Sequence, residues 1–326
     1  MERIKNILCV VVPSLDNNIA LGRAVALATN NQACLTVVGV IDVFVNDINR
    51  RDGSYLPSGL QEVFVEEHKQ KLEQLVAPWR KDIEIKVNVL SGTPFLKIIH
   101  EVLRNGRDLV IKVAENSGLL DRVFGSNDMH LLRKCPCPIW LLKPEATKSY
   151  RRILAAVDVD DDYPSGELKT RHELNRQILE MASSLTLSEF AELHIVCVWE
   201  AFAESAMRGG FMKKTEHEVD AYVEDVKQKQ QKHLTELVEG VISNLGRETE
   251  EYIKPITHLV KGYPQKEISS LAKQIEADLV VMGTVARTGI SGFIMGNTAE
   301  TILNRIDCSV LAVKPPGFKT PVTLED

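Results

Sequence analysis

The chain has 326 residues, is 44% hydrophobic and carries a formal net charge of -6, which suits about two soluble domains with a core each. No run of Lys and Arg forms a basic stripe, which speaks against nucleic acid as a partner, and no apolar stretch approaches the roughly 20 residues that span a bilayer. Met1 to Asn6 lacks the layout of a signal peptide, so the expected location is cytoplasmic, with no membrane partner.

The first elements read as follows. Ile7 to Val12 is a near-continuous apolar run, as a parallel strand buried on both faces requires. Asn18 to Thr29 has helical periodicity, Cys34 to Val43 is a second strand, and Leu60 to Leu75 is a charged amphipathic helix ended by Pro78. Ile83 to Leu90 alternates as a strand near an edge does. Phe95 to Leu103 reads as a helix, Leu109 to Val113 as a strand, Leu119 to Leu132 as a helix and Ile139 to Leu142 as a last strand.

After a short linker, Lys143 to Tyr150, the order repeats. Strands are expected at Ile153 to Val159, Glu192 to Trp199, Glu251 to Val260, Leu279 to Met282 and Val310 to Val313. Helices are expected near Leu168 to Ser183, Glu216 to Ile242, Lys266 to Glu276 and Thr298 to Arg305. The repeat is also literal: Gly92-Thr93-Pro94 returns as Gly262-Tyr263-Pro264, Asp108-Leu109-Val110 as Asp278-Leu279-Val280, and Cys137 with Lys143-Pro144 as Cys308 with Lys314-Pro315. Self-similarity in fixed order means two copies of one unit, placed here at 1–145 and 150–316, with a polar tail at 317–326 that either lies as an arm on the surface or is disordered. Strands alternating with helices imply α/β domains, each a five-stranded parallel sheet with helices on both faces. The second copy is longer before its Gly-x-Pro turn. The extra length is assigned to a longer first helix and to a mixed segment, Ala201 to Val219, which reads equally as a lid or as a surface loop.

The six cysteines sit mostly in strand-like runs and read as structural thiols. Cys135-Pro136-Cys137 has one spacer residue, not the two of redox or zinc motifs. No histidines pair at metal-ligand spacing. His194 and His258 read as packed or edge residues, His68 and His233 as solvated ones. No nucleophile with a base and an orienting group emerges, so neither catalytic nor metal residues are assigned.

The strongest chemical signal is the Gly-rich stretch from Gly283 to Thr298, after the fourth strand of copy two and entering a helix. Glycines there let backbone amides approach an anion, and the helix start adds unpaired N–H groups. Asn297 or Thr298 equally suits a helix cap, so binding and structural readings compete. Asp158 follows the first strand of copy two and could accept two hydroxyl hydrogen bonds, or simply begin the acidic loop Asp158 to Asp162. Phe293, Ile294 and Met295 crowd the same turn, as pocket rim or as core.

On these residues the chain resembles tandem universal stress proteins, most closely the two-domain E type, over nearly its whole length. The resemblance implies flavodoxin-like (Rossmann-like) domains and a nucleotide motif of Gly, two residues, Gly, nine residues, then Gly and Ser or Thr. Gly283 fills the first place, Ala286 stands for the second Gly, Gly296 fills the third, and Asn297, followed by Thr298, stands at the Ser/Thr place. It further implies that Asp158 holds a ribose, that strand backbone near Val198 contacts adenine, and that ATP, with Mg, is the ligand. In copy one Val12 replaces the Asp, Val113 the first Gly and Asn116 the second, eight residues before Gly125-Ser126. A β-branched Val cannot readily take positive φ, and its side chain would occupy space near the phosphates, so copy one is expected to have lost the nucleotide and to serve as a structural partner. The family also dimerises through its last strand. Ile139–Leu142 should therefore pair internally with Val310–Val313, while a further homodimer stays open. The leading expectation is a stress-response protein that binds or senses a nucleotide. A slow nucleotide hydrolase, a changed and partly apolar ligand, or a scaffold without ligand remain the alternatives.

Overall fold

The computed structural model describes residues 4–12, 19–41, 60–115, 124–147, 149–209, 214–246, 252–284 and 295–324. Copy one contains β1 (Asn6–Val10), α1 (Ile19–Asn31), β2 (Cys34–Ile41), α2 (Leu60–Val76), β3 (Ile85–Ser91), α3 (Pro94–Asn105), β4 (Leu109–Val113), α4 (Ser126–Lys134) and β5 (Ile139–Leu142). Copy two contains β6 (Arg152–Val157), α5 (Ser165–Glu189), β7 (Glu192–Trp199), α6 (Glu204–Arg208), α7 (Glu216–Ser243), β8 (Ile256–Lys261), α8 (Pro264–Gln274), β9 (Leu279–Gly283), α9 (Asn297–Leu303) and β10 (Ser309–Val313).

All ten strands form one sheet in the order β3-β2-β1-β4-β5-β10-β9-β6-β7-β8. Within each copy every pairing is parallel. The order 3-2-1-4-5 is the Rossmann one of the two common doubly wound orders, the other being the flavodoxin 2-1-3-4-5. Either way the chain switches direction beside the first strand of each copy. Residues alternate between two cores, as a strand covered on both faces demands. Ile7 and Cys9 belong to the core covered by α1 and α5, while Leu8 and Val10 belong to the core covered by α3, α4, α8 and α9.

The copies meet along β5 and β10, which pair antiparallel with Trp140 opposite Leu311 and Leu141 opposite Val310. Each last strand would otherwise present an open edge, so the seam removes a site for unwanted pairing. Lys314 reinforces it from just beyond β10. Its buried ammonium donates to the Leu132 carbonyl of copy one and to Thr284 Oγ1 of copy two, beside Cys135 and Cys137. Burial pushes this ammonium down to about 8.

The sign of the linkage is definite. Below pH 8 Lys314 is charged in both folded and unfolded chain, and the folded state carries a penalty of about 3 kcal/mol. Between pH 8 and the ordinary value of 10.5 only the unfolded chain holds the proton, so stability is regained. Relative to a Lys314→Met variant, the wild type should therefore gain about 2 kcal/mol between pH 7.5 and 9.5. Denaturation midpoints of the two proteins at both pH values check this; a constant gap would contradict it.

Several boundaries differ from the sequence expectation for identifiable reasons. The strand expected from Glu251 starts at Ile256, because Pro255 has no N–H for the ladder. The helix expected from Leu119 starts at Ser126, with Gly125 as its N-cap; residues 116–123, including Asn116, lie outside the described residues. The first helix of copy two runs 25 residues against 13 in copy one, so part of the extra length is there. The tail is an arm packed on copy one: Phe318 and Val322 are buried, and the Thr323 carbonyl meets His100 Nε2 at 2.9 Å. The Gly-x-Pro turns are shared because both need positive φ, 133° at Gly92 and 144° at Gly262, where a side chain is strained.

Cys9, Cys135, Cys137, Cys197 and Cys308 are buried, and Cys34 is exposed. Burial pushes Cys197 and Cys308 up to about 12, which keeps these thiols protonated and unreactive. Among the described residues no helix is long and apolar enough to cross a membrane.

Candidate functional site

The carboxyl ends of β9, β6 and β7 stand side by side, and the direction of the chain switches between β6 and β9. A crevice at that place is where doubly wound sheets take ligands. Here it is a cleft of about 460 Å³, within the usual range for small-molecule sites. Asp158, Val198, Gly283, Gly296 and Thr298 all line it. Asn297, the first residue of α9, is not part of the lining, and Ala286 lies outside the described residues. Phe293 and Ile294 also lie outside them, whereas Met295 is core.

Asp158 does not head a solvated loop. Its Oδ2 accepts from the Tyr163 hydroxyl at 2.9 Å and from Arg171 Nη1 at 3.1 Å, and its Oδ1 accepts from the Asp160 amide at 3.2 Å. Its backbone is fixed on both sides by Asn175, which accepts from Asp158 N at 3.1 Å and donates to Asp158 O at 2.5 Å. The Arg171 guanidinium stacks on the Tyr163 ring at 3.4 Å. Burial, then the Asp158 charge, pushes the Tyr163 hydroxyl well above its ordinary range, so Tyr163 remains a donor. A carboxylate has about four lone-pair sites. Three are used, and the side chain is 46% exposed, so Asp158 can still accept from a ligand.

Asp161 of the same loop is anchored as well. Asp161 meets His172 Nε2 at 3.1 Å and His233 Nε2 at 3.4 Å, while His233 Nδ1 meets the Val159 carbonyl at 3.2 Å. His233 is thus a strut between α7 and this loop, not the solvated side chain expected. His194 and His258 stack with ring centroids 5.3 Å apart, consistent with packed strand residues. Burial lowers both imidazoles, so they are held neutral.

Gly283 requires a correction. Its φ is not positive, and a Cβ there would stand 2.8 Å from Leu174 Cδ2, the movable end of a side chain on α5. Val113 in copy one therefore marks a different helix packing, not a forbidden backbone. What closes the copy-one turn is Asp128. This carboxylate is fully buried and accepts from the Glu115 amide at 2.7 Å, from the Gly125 amide at 3.2 Å and from the buried ammonium of Lys112. Copy one holds an anion of its own at this turn. The matching residues in copy two are Met282 and Ala299, which line the cleft and offer no charge. At the first strand, Val12 is 54% exposed and supplies no acceptor where copy two has Asp158.

Part of the insertion after β7 borders the cleft. Glu204 pairs with Lys261 of β8 at 2.5 Å, Arg208 pairs with Asp220 of α7 at 2.7 Å, and the Tyr222 hydroxyl donates to the Phe202 carbonyl at 3.0 Å. Phe202 lines the mouth and is 87% exposed. Residues 210–213 lie outside the described residues. Sequence reasoning missed Tyr163, Arg171, Asn175 and Gln230 as lining residues. The first helix did carry a signal, since Glu167, Arg171 and Asn175 recur every fourth residue and so share one face.

The universal stress protein family model matches residues 3–143 and again 149–314. Universal stress protein E of Escherichia coli K12 is 32% identical over 247 residues, which is 75% of this chain and 72% of that protein. The Universal stress protein E homolog of Haemophilus influenzae is 28% identical over 323 residues, 96% of this chain and 98% of its own length. The crystal structure of a putative universal stress protein from Pseudomonas aeruginosa superposes with a TM-score of 0.67 at 25% identity, covering 96% of this chain and 94% of that one.

Proposed function

The chain belongs to the universal stress protein family, and from that premise we propose that it is a stress-response protein whose second domain binds an adenine nucleotide. It senses or carries this ligand rather than turning it over quickly. The first domain, 1–145, is the structural partner of the second, 150–316, with 317–326 as the tail. The observation that carries this reading is the contrast between the two turns. Copy one fills its turn with Asp128, whereas copy two has Ala299 there and a cleft lined by Asp158, Gly283, Gly296 and Thr298.

The roles follow from position. Asp158, with a lone-pair site to spare, would take a ribose hydroxyl. The turn from Gly283 through Ala286 to Gly296, with Asn297 and Thr298, would face the phosphates, and Arg171 adds positive charge beside them. The end of β7 at Val198 would border the adenine. Mg²⁺ would neutralise phosphate charge. Among the described residues no group of three or more His, Cys, Asp or Glu is placed to hold a metal, so the phosphates would carry the ion in.

Calorimetric titration with ATP and Mg²⁺ tests the reading. The wild type should bind, and Asp158→Ala should weaken binding about ten- to a hundredfold, since a hydrogen bond to a charged group contributes about 1.5–3 kcal/mol. Gly296→Val should weaken it as well. Equal affinity in all three proteins would refute the assignment.

A further inference from the structure

Gln230 of α7 lines the same cleft and is 6% exposed. Its carboxamide has no hydrogen-bond partner among the described residues. Asn175, the other buried amide of this wall, has both its donor and its acceptor satisfied by Asp158. The Gln230 amide atoms are not among the described buried polar atoms left without a partner, so they open onto the cleft rather than being sealed in the core. Trp199, equally buried as a residue and also lining the cleft, makes no indole hydrogen bond among the described residues either. Two polar groups without a partner among the described residues thus line the cleft.

The position of Gln230 is defined by the fold. Gly283 ends β9, Asp158 follows β6 and Val198 lies in β7, and these strands are neighbours in this order. Gln230 belongs to the helix that follows β7 and the insertion. Its helix is tied to the cleft twice, by the Tyr222 hydroxyl on the Phe202 carbonyl and by His233 on the Val159 carbonyl. It therefore stands at the end away from the phosphate turn, beyond the ribose anchor. Phe202, exposed at the mouth of this end, offers an aromatic face. A planar ligand edge with a donor beside an acceptor satisfies a carboxamide completely. Adenine presents such an edge, and a Gln can pair with it through two hydrogen bonds.

We infer that Gln230 reads the base of the bound nucleotide, its Oε1 accepting from the adenine 6-amino group and its Nε2 donating to the adjacent ring nitrogen. The inference rests on the nucleotide reading of this cleft. It assigns specificity to one side chain on α7, outside the Gly-rich motif.

The test compares ATP with purine riboside triphosphate, which lacks only the 6-amino group, by titration of the wild type, Gln230→Met and Gln230→Glu. The wild type should prefer ATP by about tenfold, as one base contact of 1–3 kcal/mol allows. Gln230→Met keeps the volume but not the polar groups, and should bind both nucleotides alike and more weakly than the wild type binds ATP. Gln230→Glu can accept but not donate, and should also lose affinity for ATP. Wild type that binds ATP, with the same preference kept in both variants, overturns the inference and leaves the nucleotide reading standing. Wild type that binds neither compound overturns both.

Discussion

Replacing Asp128 with alanine should lower the stability of the chain by about 3–5 kcal/mol, the cost of leaving one partner of a buried ion pair alone. The fully buried carboxylate meets Lys112, itself buried, and also takes the amides of Glu115 and Gly125. Alanine therefore strips two backbone donors of their acceptor and leaves the ammonium with Glu115 alone, at 3.7 Å. Copy two shows the apolar alternative at the same two positions, Met282 and Ala299. The double variant Lys112→Met with Asp128→Ala should accordingly recover most of the loss, because buried pairs exchanged together for apolar residues are often neutral. Urea denaturation of the single and double variants decides it. A double variant as unstable as Asp128→Ala alone would mean that the two amides, not Lys112, carry the cost.

The second large effect is expected at Arg23 of α1. Its guanidinium is buried against Glu189 at the end of α5, donates to the Thr147 carbonyl at 3.0 Å, and lies 3.7 Å from the centre of the Tyr150 ring. Glu189 in turn accepts from the Tyr150 amide at 2.9 Å. One side chain thus joins copy one, the linker and copy two on the α1–α5 face of the sheet, while Lys314 does so on the other. Arg23→Met should cost about 3 kcal/mol by stranding Glu189, and should speed proteolysis of the segment around Thr147 by loosening the linker. Pairing it with Glu189→Leu should restore much of the stability. A thermal midpoint unchanged in the single variant would show that the β5–β10 pairing holds the copies together alone.

The strands were the most legible part of the sequence. Leu109–Val113, Ile139–Leu142 and Glu192–Trp199 lie where the apolar runs place them, because a strand buried on both faces has to be apolar throughout. The pairing of β5 with β10 was expected from the resemblance to a family that dimerises through its last strand, and the structure shows it. Asp158, Gly283, Gly296 and Thr298 were found because they sit on turns adjacent to strand ends, where sequence position nearly fixes spatial position. Arg171 and Gln230 were not, because they approach from helices whose rotation about the sheet is set by packing. Gly283 takes no special backbone angle, and a Cβ there would first meet Leu174 Cδ2. The closed turn of copy one had a readable trace, the exchange of Lys112 and Asp128 for Met282 and Ala299. It emerges only when the two copies are compared position by position rather than against a motif.

The measurement that tests the central claim most directly is native mass spectrometry of the full chain with ATP and Mg²⁺ added. One turn holds its own carboxylate at Asp128 and the other has Ala299 at the matching position, so one nucleotide per chain is predicted, bound more weakly in Asp158→Ala and unchanged in Val12→Ala. Two nucleotides per chain would show that Asp128 does not close copy one. No bound nucleotide at saturating concentration would contradict the assignment of the copy-two cleft itself.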